Sequence, residues 1–167
     1  MKKLFLIALM SFGWIACSET EPEKYTGREL NYDLFKSSEY DFTGNLKVRE
    51  LQGGALEFNL KLNGAKANSD YSYPAHLHFG GYDQPNAPIA FMLNPVSART
   101  LESSTILEKL SDGTNLNFEG MKLFDGHVKV HLASEGPDYQ VILVAGNVGG
   151  NSTAFNPGEL AICGDNF

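Results

Sequence analysis

Short runs in which apolar and polar residues alternate constrain this chain more than any other feature of its sequence. The clearest run covers residues 56–63, where single polar residues separate four apolar ones (Leu56, Phe58, Leu60 and Leu62). Because successive side chains of a strand point to opposite faces, this alternation predicts a strand with one buried face. Similar runs recur from about residue 29 onward, and glycines and Asn/Asp-Gly pairs separate them. The pattern predicts an all-β domain, an antiparallel Greek-key sandwich or barrel of about eight strands.

Four local predictions refine this outline. Asn63-Gly64 is a strong hairpin signal. Residues 97–110 fit a strand or a helical turn, and we favour the strand. Residues 116–123 suggest a compact turn or short helix before the Asp125-Gly126 pair. Residues 158–163 fit a last strand.

The N-terminus has the features of an export signal. Residues 2 and 3 are lysines, and an apolar stretch follows from Leu4 to Ile15. This stretch is too short to cross a bilayer as a helix, which takes about 20 residues. Residues 14–17, Trp-Ile-Ala-Cys, resemble a bacterial lipobox, although Trp14 stands where an aliphatic residue is usual. We therefore predict a lipoprotein signal peptide over 1–16 and lipidation of Cys17. The alternative is ordinary secretion, with Cys17 removed or left unmodified.

The segment after Cys17 is polar and acidic and lacks periodicity, so we predict a lipidated tether over 17–28 and a single domain over 29–167. Its acidic residues resemble tags that direct lipoproteins to the outer cell surface; a plain solvated linker is the other interpretation. The resulting prediction is an exported protein, lipid-anchored at the outer membrane or cell surface.

Net charge and cysteine content limit which partners and which disulfides this chain can have. The formal net charge is −7, which argues against nucleic acid and against attraction to an anionic membrane. Membrane attachment would then depend on the acyl chains alone. There are two cysteines, and if Cys17 carries lipid, Cys163 has no intramolecular partner. We expect Cys163 to be a small buried hydrophobe, and the fold to depend on packing rather than on a disulfide.

All four histidines lie in two strand-like stretches about fifty residues apart. His76 and His78 share one face of the first stretch, while its apolar residues share the other. In the second stretch His127, Lys129 and His131 share the face opposite its apolar residues. The imidazoles are therefore predicted to point outward, with His127 simply a solvent-facing residue beside a turn.

The histidine spacing is compatible with a metal site. His76 and His78 would lie about 6.6 Å apart at Cα, so their imidazoles can converge on one ion. If the second strand lies near the first, His131 can complete a three-nitrogen set suited to copper or zinc. The alternative is structural, with ring nitrogens tying loops to the sheet through backbone hydrogen bonds. A third option is a stacking platform of Tyr71, Tyr73 and Tyr82 for a carbohydrate or protein ligand.

Several of these stretches together resemble a known family. Ala75-His76-Leu77-His78, the strand ending in Leu93, Val128-Lys129-Val130-His131 and the segment 142–149 resemble the CHRD domain first named in chordin, over about residues 44–150. The closing segment departs from that pattern, because "AGNVGGN" replaces the usual "GEIRGQ". CHRD domains are similar to copper–zinc superoxide dismutase, which implies an immunoglobulin-like or superoxide-dismutase-like fold.

The resemblance also implies a site. His76, His78 and His131 match the copper ligands of the dismutase, whereas its bridging histidine and zinc loop have no counterpart here. Dismutases place an arginine near the copper to attract superoxide, and Arg99 and Lys129 are candidates for that role. The function expected is a lipid-anchored extracytoplasmic CHRD-like domain, acting as a binding or structural module with one metal ion, copper first and zinc second. The alternative is a copper-only superoxide-dismutase-like enzyme.

Overall fold

A computed structural model describes residues 23–150 and 155–162, and nearly all regular structure within them is β. The eight strands are β1 (Tyr25–Lys36), β2 (Thr43–Leu51), β3 (Leu56–Asn63), β4 (Ser72–Phe79), β5 (Ile89–Ser97), β6 (Glu102–Leu107), β7 (Asp125–His131) and β8 (Ile142–Gly149). One short helix, α1 (Phe118–Leu123), precedes β7, and the segments Pro137–Gln140 and Pro157–Glu159 form 3-10 turns. The strand favoured within 97–110 is confirmed over 102–107, and the short helix predicted within 116–123 is confirmed over 118–123.

The strands form one antiparallel sheet in the order β5-β4-β7-β8-β1-β2-β3-β6. Its two edge strands come together, because the Asn94 backbone N–H donates to Thr105 Oγ1 at 2.8 Å and the Asn94 side chain donates to the Ser104 carbonyl at 2.7 Å. The sheet is therefore a nearly closed barrel. Strands β4, β5 and β6 follow one another, and β7 returns to lie beside β4, which is a Greek-key connection. The predicted all-β Greek-key fold is confirmed.

The core lies inside this barrel and follows the alternation in the sequence. All four apolar residues of β3 are at most 2% exposed, and Leu46 and Val48 of β2 are completely buried. On the opposite wall Leu77, Val128 and Val130 are also completely buried. Removing this apolar surface from water is the main force that closes the barrel.

The hairpin predicted at Asn63-Gly64 is wrong. Strand β3 pairs with β2 and β6, so the turn carries the chain across the barrel to β4. Gly64 is needed there for space, because a Cβ atom would lie 2.4 Å from the Phe42 ring. The observed β2–β3 hairpin instead turns at Gly53 and Gly54, whose φ angles of +97° and +89° favour glycine.

The last predicted strand, 158–163, is also wrong over its described residues. Residues 157–159 form a 3-10 turn, and the Ala161 N–H donates to the Tyr82 carbonyl rather than to a strand ladder. At the other end, residues 25–28, which we assigned to the tether, belong to β1. They are fixed there because Tyr25 pairs with Leu51 and its hydroxyl donates to Glu57.

The predictions of a signal peptide, of Cys17 lipidation and of a buried Cys163 fall on residues outside the described ranges. Within those ranges, no helix has the length and apolar character that crossing a bilayer would demand.

A buried carboxylate fastens the start of β1 to the barrel. Glu57 is 4% exposed and accepts hydrogen bonds from Lys24, Tyr25 and Arg49 at 2.7, 2.7 and 2.9 Å. Burial by itself raises the pKa of the Glu57 carboxyl, but the hydrogen bonds from Lys24, Tyr25 and Asn59 outweigh it and lower the pKa to about 2. The folded protein therefore stabilises the ionised form of the Glu57 carboxyl.

We predict that this carboxylate makes the barrel acid-sensitive. Its folded pKa lies below the ordinary value of 4.5, so its contribution is complete above pH 4.5 and is lost as the pH falls toward 2. The shift corresponds to about 3 kcal/mol. The difference in unfolding free energy between wild type and Glu57→Gln, measured by urea denaturation, should be about that size at pH 7 and should shrink toward zero near pH 2.

Glu29→Gln is the matched control, because Glu29 forms an exposed pair with Lys47. Exposed pairs contribute little, so this variant should follow the wild-type pH profile. A Glu57→Gln difference that does not change between pH 7 and pH 2.5 would contradict the account.

Candidate metal centre

The four histidines lie on the outer face of two paired strands. Strand β4 pairs with β7 so that His78 stands opposite His127 and His76 stands opposite Lys129. A bulge follows Val130 in the pairing of β7 with β8. The apolar residues between the histidines, Leu77 among them, belong to the core. The predicted division of each strand into an imidazole face and an apolar face is confirmed.

The imidazoles point outward from the barrel, as predicted, but they are not exposed to solvent, and the prediction of a solvent-facing His127 is wrong. His76 and His78 are 2% and 1% exposed, and His127 and His131 are fully buried. The outer face of β4 and β7 is covered by three segments, 80–88, 137–140 and 155–162, which we call the cover. His127 in particular is not a solvent-facing turn residue, because its ring lies flat against that of His78, with centroids 4.9 Å apart and planes 6° from parallel.

The cover is held together by hydrogen bonds and ring contacts that centre on Tyr82. Its hydroxyl accepts from the Asn156 N–H at 3.0 Å, and its carbonyl accepts from the Ala161 N–H at 3.0 Å. The Phe155 ring packs 4.7 Å from the Tyr82 ring. Lys129, itself 1% exposed, donates from Nζ to the Ala161 carbonyl at 2.7 Å. Residues 155–162 are thereby tied both to the loop 80–88 and to the sheet beneath.

Three of the histidines converge as the sequence predicted. One ring nitrogen of each of His76, His78 and His131 lies within 4.8 Å of the others. The His76 ring centroid is 5.8 Å from that of His78 and 5.0 Å from that of His131. Metal–nitrogen bonds of about 2.0–2.1 Å put coordinating nitrogens at most about 4 Å apart, so the observed limit of 4.8 Å is close to the spacing of a metal site. His127 is not part of this group.

Backbone carbonyls fix the orientation of three of the rings. Nδ1 lies 2.9 Å from the Ala87 carbonyl in His78, 2.8 Å from the Gly80 carbonyl in His127 and 2.7 Å from the Tyr139 carbonyl in His131. Since a carbonyl only accepts, Nδ1 carries the proton, and Nε2 keeps its lone pair. This is the arrangement by which proteins orient metal-binding histidines. It is also the loop-tying contact that our structural alternative predicted.

Two further features of the site are the ring of Tyr139 and the Nε2 atom of His127. The Tyr139 ring stacks on that of His131, with centroids 4.5 Å apart and planes 2° from parallel. Nε2 of His127 is buried and has no hydrogen-bond partner in the part of the chain that the structure describes. Nothing in the sequence marked Tyr139 as a neighbour of the site, because its contact depends on how the 3-10 turn 137–140 folds over β7.

The environment keeps the imidazoles neutral. Burial is the largest cause, and it lowers the pKa of His76 and His78 to about 3 and that of His127 and His131 to about 4. The carbonyl hydrogen bonds raise the pKa of His78, His127 and His131 in part, and the charge of Lys129 lowers the pKa of all four. At neutral pH the rings are unprotonated, which is the form that binds metal.

Of the two predicted cations, Lys129 is the one that the structure places among the histidines. Arg99 is exposed and donates to Asp70 at 2.7 Å. The predicted platform of three tyrosines does not form, because Tyr73 is buried in the core and Tyr82 in the cover. Tyr71 is 45% exposed and makes an edge contact with Tyr73. A carbohydrate or protein ligand stays a prediction.

In comparisons with known proteins, no family model matches this chain, and no curated protein shows significant sequence similarity to it. The CHRD resemblance therefore stays a prediction that depends on the histidine motifs. The class of protein that the fold and the site define is a Greek-key β-barrel with a covered three-histidine cluster.

The cover should limit the rate at which a reagent reaches the histidines. Tyr82→Phe removes the acceptor for the Asn156 N–H and leaves the ring in place. The loss of one such bond weakens closure by about 1 kcal/mol, which raises the open population about fivefold. We expect diethyl pyrocarbonate to modify the imidazoles correspondingly faster. Tyr71→Phe, which loses a hydroxyl bond to the Leu132 carbonyl, is the control. Equal rates in the two variants would show that Tyr82 does not close the site.

Proposed function

We propose that this protein is a metal-binding module that holds one ion through His76, His78 and His131. The observation that carries the proposal is the convergence of their ring nitrogens within 4.8 Å. These residues come from two strands far apart in sequence, and the three rings meet only because β4 and β7 pair. A loop-tying role explains the Nδ1 contacts of His78 and His131 but gives no reason for the ring nitrogens to converge.

The donor set suits copper or zinc, and the resemblance to the dismutase puts copper first. Three imidazole nitrogens suit both metals, and hard ions such as Mg²⁺ or Ca²⁺ require oxygen ligands. The rings are neutral and His78 and His131 already have their proton on Nδ1, so binding costs little deprotonation or reorientation at neutral pH. A metal bound by three protein ligands keeps a further position for another donor.

The module would be exported and anchored at the outer membrane or cell surface, as a CHRD-like lipoprotein. Residues 1–16 and Cys17 support this through their resemblance to a lipobox signal. The net charge of −7 gives the barrel no attraction to anionic lipid, so the acyl chains would be the whole attachment.

We expect Cys17→Ser to move the protein from the membrane fraction to the soluble fraction of the envelope. Wild-type protein in the soluble fraction would contradict the anchor.

A second candidate function is a copper-only superoxide-dismutase-like enzyme. Lys129 favours it, because a buried ammonium beside the three histidines could attract an anionic substrate. The cover opposes fast turnover, since the rings are at most 2% exposed and a substrate needs a path to them. Binding without turnover is therefore our first proposal.

Two β7 variants test the metal site. His131→Gln removes a member of the converging group, and His127→Gln removes a histidine that is equally buried, lies on the same strand and has the same Nδ1 contact to a carbonyl. We expect wild type and His127→Gln to bind about one equivalent of copper or zinc, by elemental analysis after dialysis. His131→Gln should lose affinity at least about tenfold, because a three-nitrogen set becomes two.

Circular dichroism and urea denaturation of both variants show whether the barrel is intact. Equal metal contents for the two variants, or no bound metal in folded wild type, would overturn the proposal. A superoxide assay on the copper-loaded protein separates the two functions. Activity that is abolished in His131→Gln and weakened in Lys129→Met would replace the binding module with the enzyme.

A further inference from the structure

A methionine stands beside the candidate centre on the strand next to β4. Strand β5 pairs with β4 so that Met92 is directly opposite His76, while Ala75 faces Leu93 and Leu77 faces Phe91. Directly opposite residues of an antiparallel pair point to the same side, with Cβ atoms about 4.5–5.5 Å apart. The thioether therefore starts from a position adjacent to the His76 imidazole, on the side away from β7.

The surroundings of Met92 differ from those of its neighbours. Leu93 is 4% exposed and packs in the core, and His76 is 2% exposed, yet the Met92 side chain is 58% exposed. Strand β5 is an edge of the sheet. A single exposed apolar residue needs no explanation by itself. Here, however, it lies in register with a proposed ligand, next to a buried cluster of donors.

We infer that Met92 is a thioether ligand to the metal held by His76, His78 and His131, and that it gives this centre a preference for copper(I). The inference rests on the proposed metal-binding function and extends it to the identity and oxidation state of the ion. A thioether is a soft, uncharged donor, so the soft copper(I) ion binds it more strongly than the borderline ions zinc and copper(II) do. Three imidazoles and one thioether supply the four donors that a copper(I) ion can take.

The side chain of methionine suits this role. Its three rotatable bonds let the sulfur move from solvent toward the ring of His76 without any change in the backbone. His76 and Met92 belong to paired strands, so the distance between their Cα atoms is fixed by the ladder. The sulfur would approach from β5, whereas the histidines lie on β4 and β7, so the four donors would come from three strands.

The chain offers a matched control. Met121 is the other methionine among the described residues; it lies in α1 and is completely buried in the core. Met92→Leu and Met121→Leu each exchange a thioether for an apolar side chain of similar volume. Only the first removes a sulfur on the histidine face. Both substitutions are made in a Cys17→Ser/Cys163→Ser background, so that no thiolate competes for copper(I).

The experiment measures copper(I) and zinc affinity of the full-length chain by anaerobic competition with chromophoric chelators, together with copper K-edge X-ray absorption. We expect Met92→Leu to weaken copper(I) binding at least about tenfold and to change zinc affinity less than about twofold. A sulfur scatterer should be present in the copper(I) spectra of the background protein and of Met121→Leu, and absent from that of Met92→Leu.

The outcomes separate this inference from the proposed function. If copper(I) shows only nitrogen scatterers and Met92→Leu binds it as tightly as the background protein does, the thioether ligand is refuted while the three-histidine site stands. If the background protein binds neither copper(I) nor zinc, the proposed function fails, and this inference fails with it.

Discussion

The register of β4 against β7 is the constraint on which the candidate site depends. It places His78 opposite His127 and His76 opposite Lys129. A slip of one residue would turn every one of these side chains to the other face and bring Leu77 and Val128 out of the core. Burial of that apolar face therefore fixes the position of the polar one. The imidazoles meet because hydrophobic packing on the inside of the barrel leaves their strands a single way to pair.

The cover shields this polar face of β4 and β7 from solvent. Histidines on the outside of a barrel would ordinarily titrate near pH 6.5, but here burial lowers the pKa of all four. The carbonyls of Gly80, Ala87 and Tyr139 offset part of the desolvation of three rings by accepting hydrogen bonds from Nδ1. The same contacts tie loops to the sheet and leave the lone pair of each of these three rings on Nε2. The structural and the metal-binding interpretations of the histidines thus describe two consequences of one arrangement.

Sequence reasoning succeeded where a pattern acts locally and failed where segments meet from afar. Alternation in residues 56–63 gave β3 and its buried face correctly, and the His-x-His spacing gave two members of the cluster. The Asn63-Gly64 pair looked like a hairpin because local turn chemistry is the same whether the next strand pairs with the last one or crosses the barrel. The burial of His127 was missed because the covering residues, Tyr82 among them, lie far away along the chain.

The sequence by itself determined which face of each strand is apolar, since side-chain alternation is a property of the extended backbone. It also determined which residues carry imidazoles and, through the two histidine stretches, which three could serve as ligands. The tertiary structure decided that the rings converge, that they are neutral, and that Lys129 and Met92 lie beside them. Those properties depend on strand order, register and the folding of the cover, which are set by packing across the whole barrel.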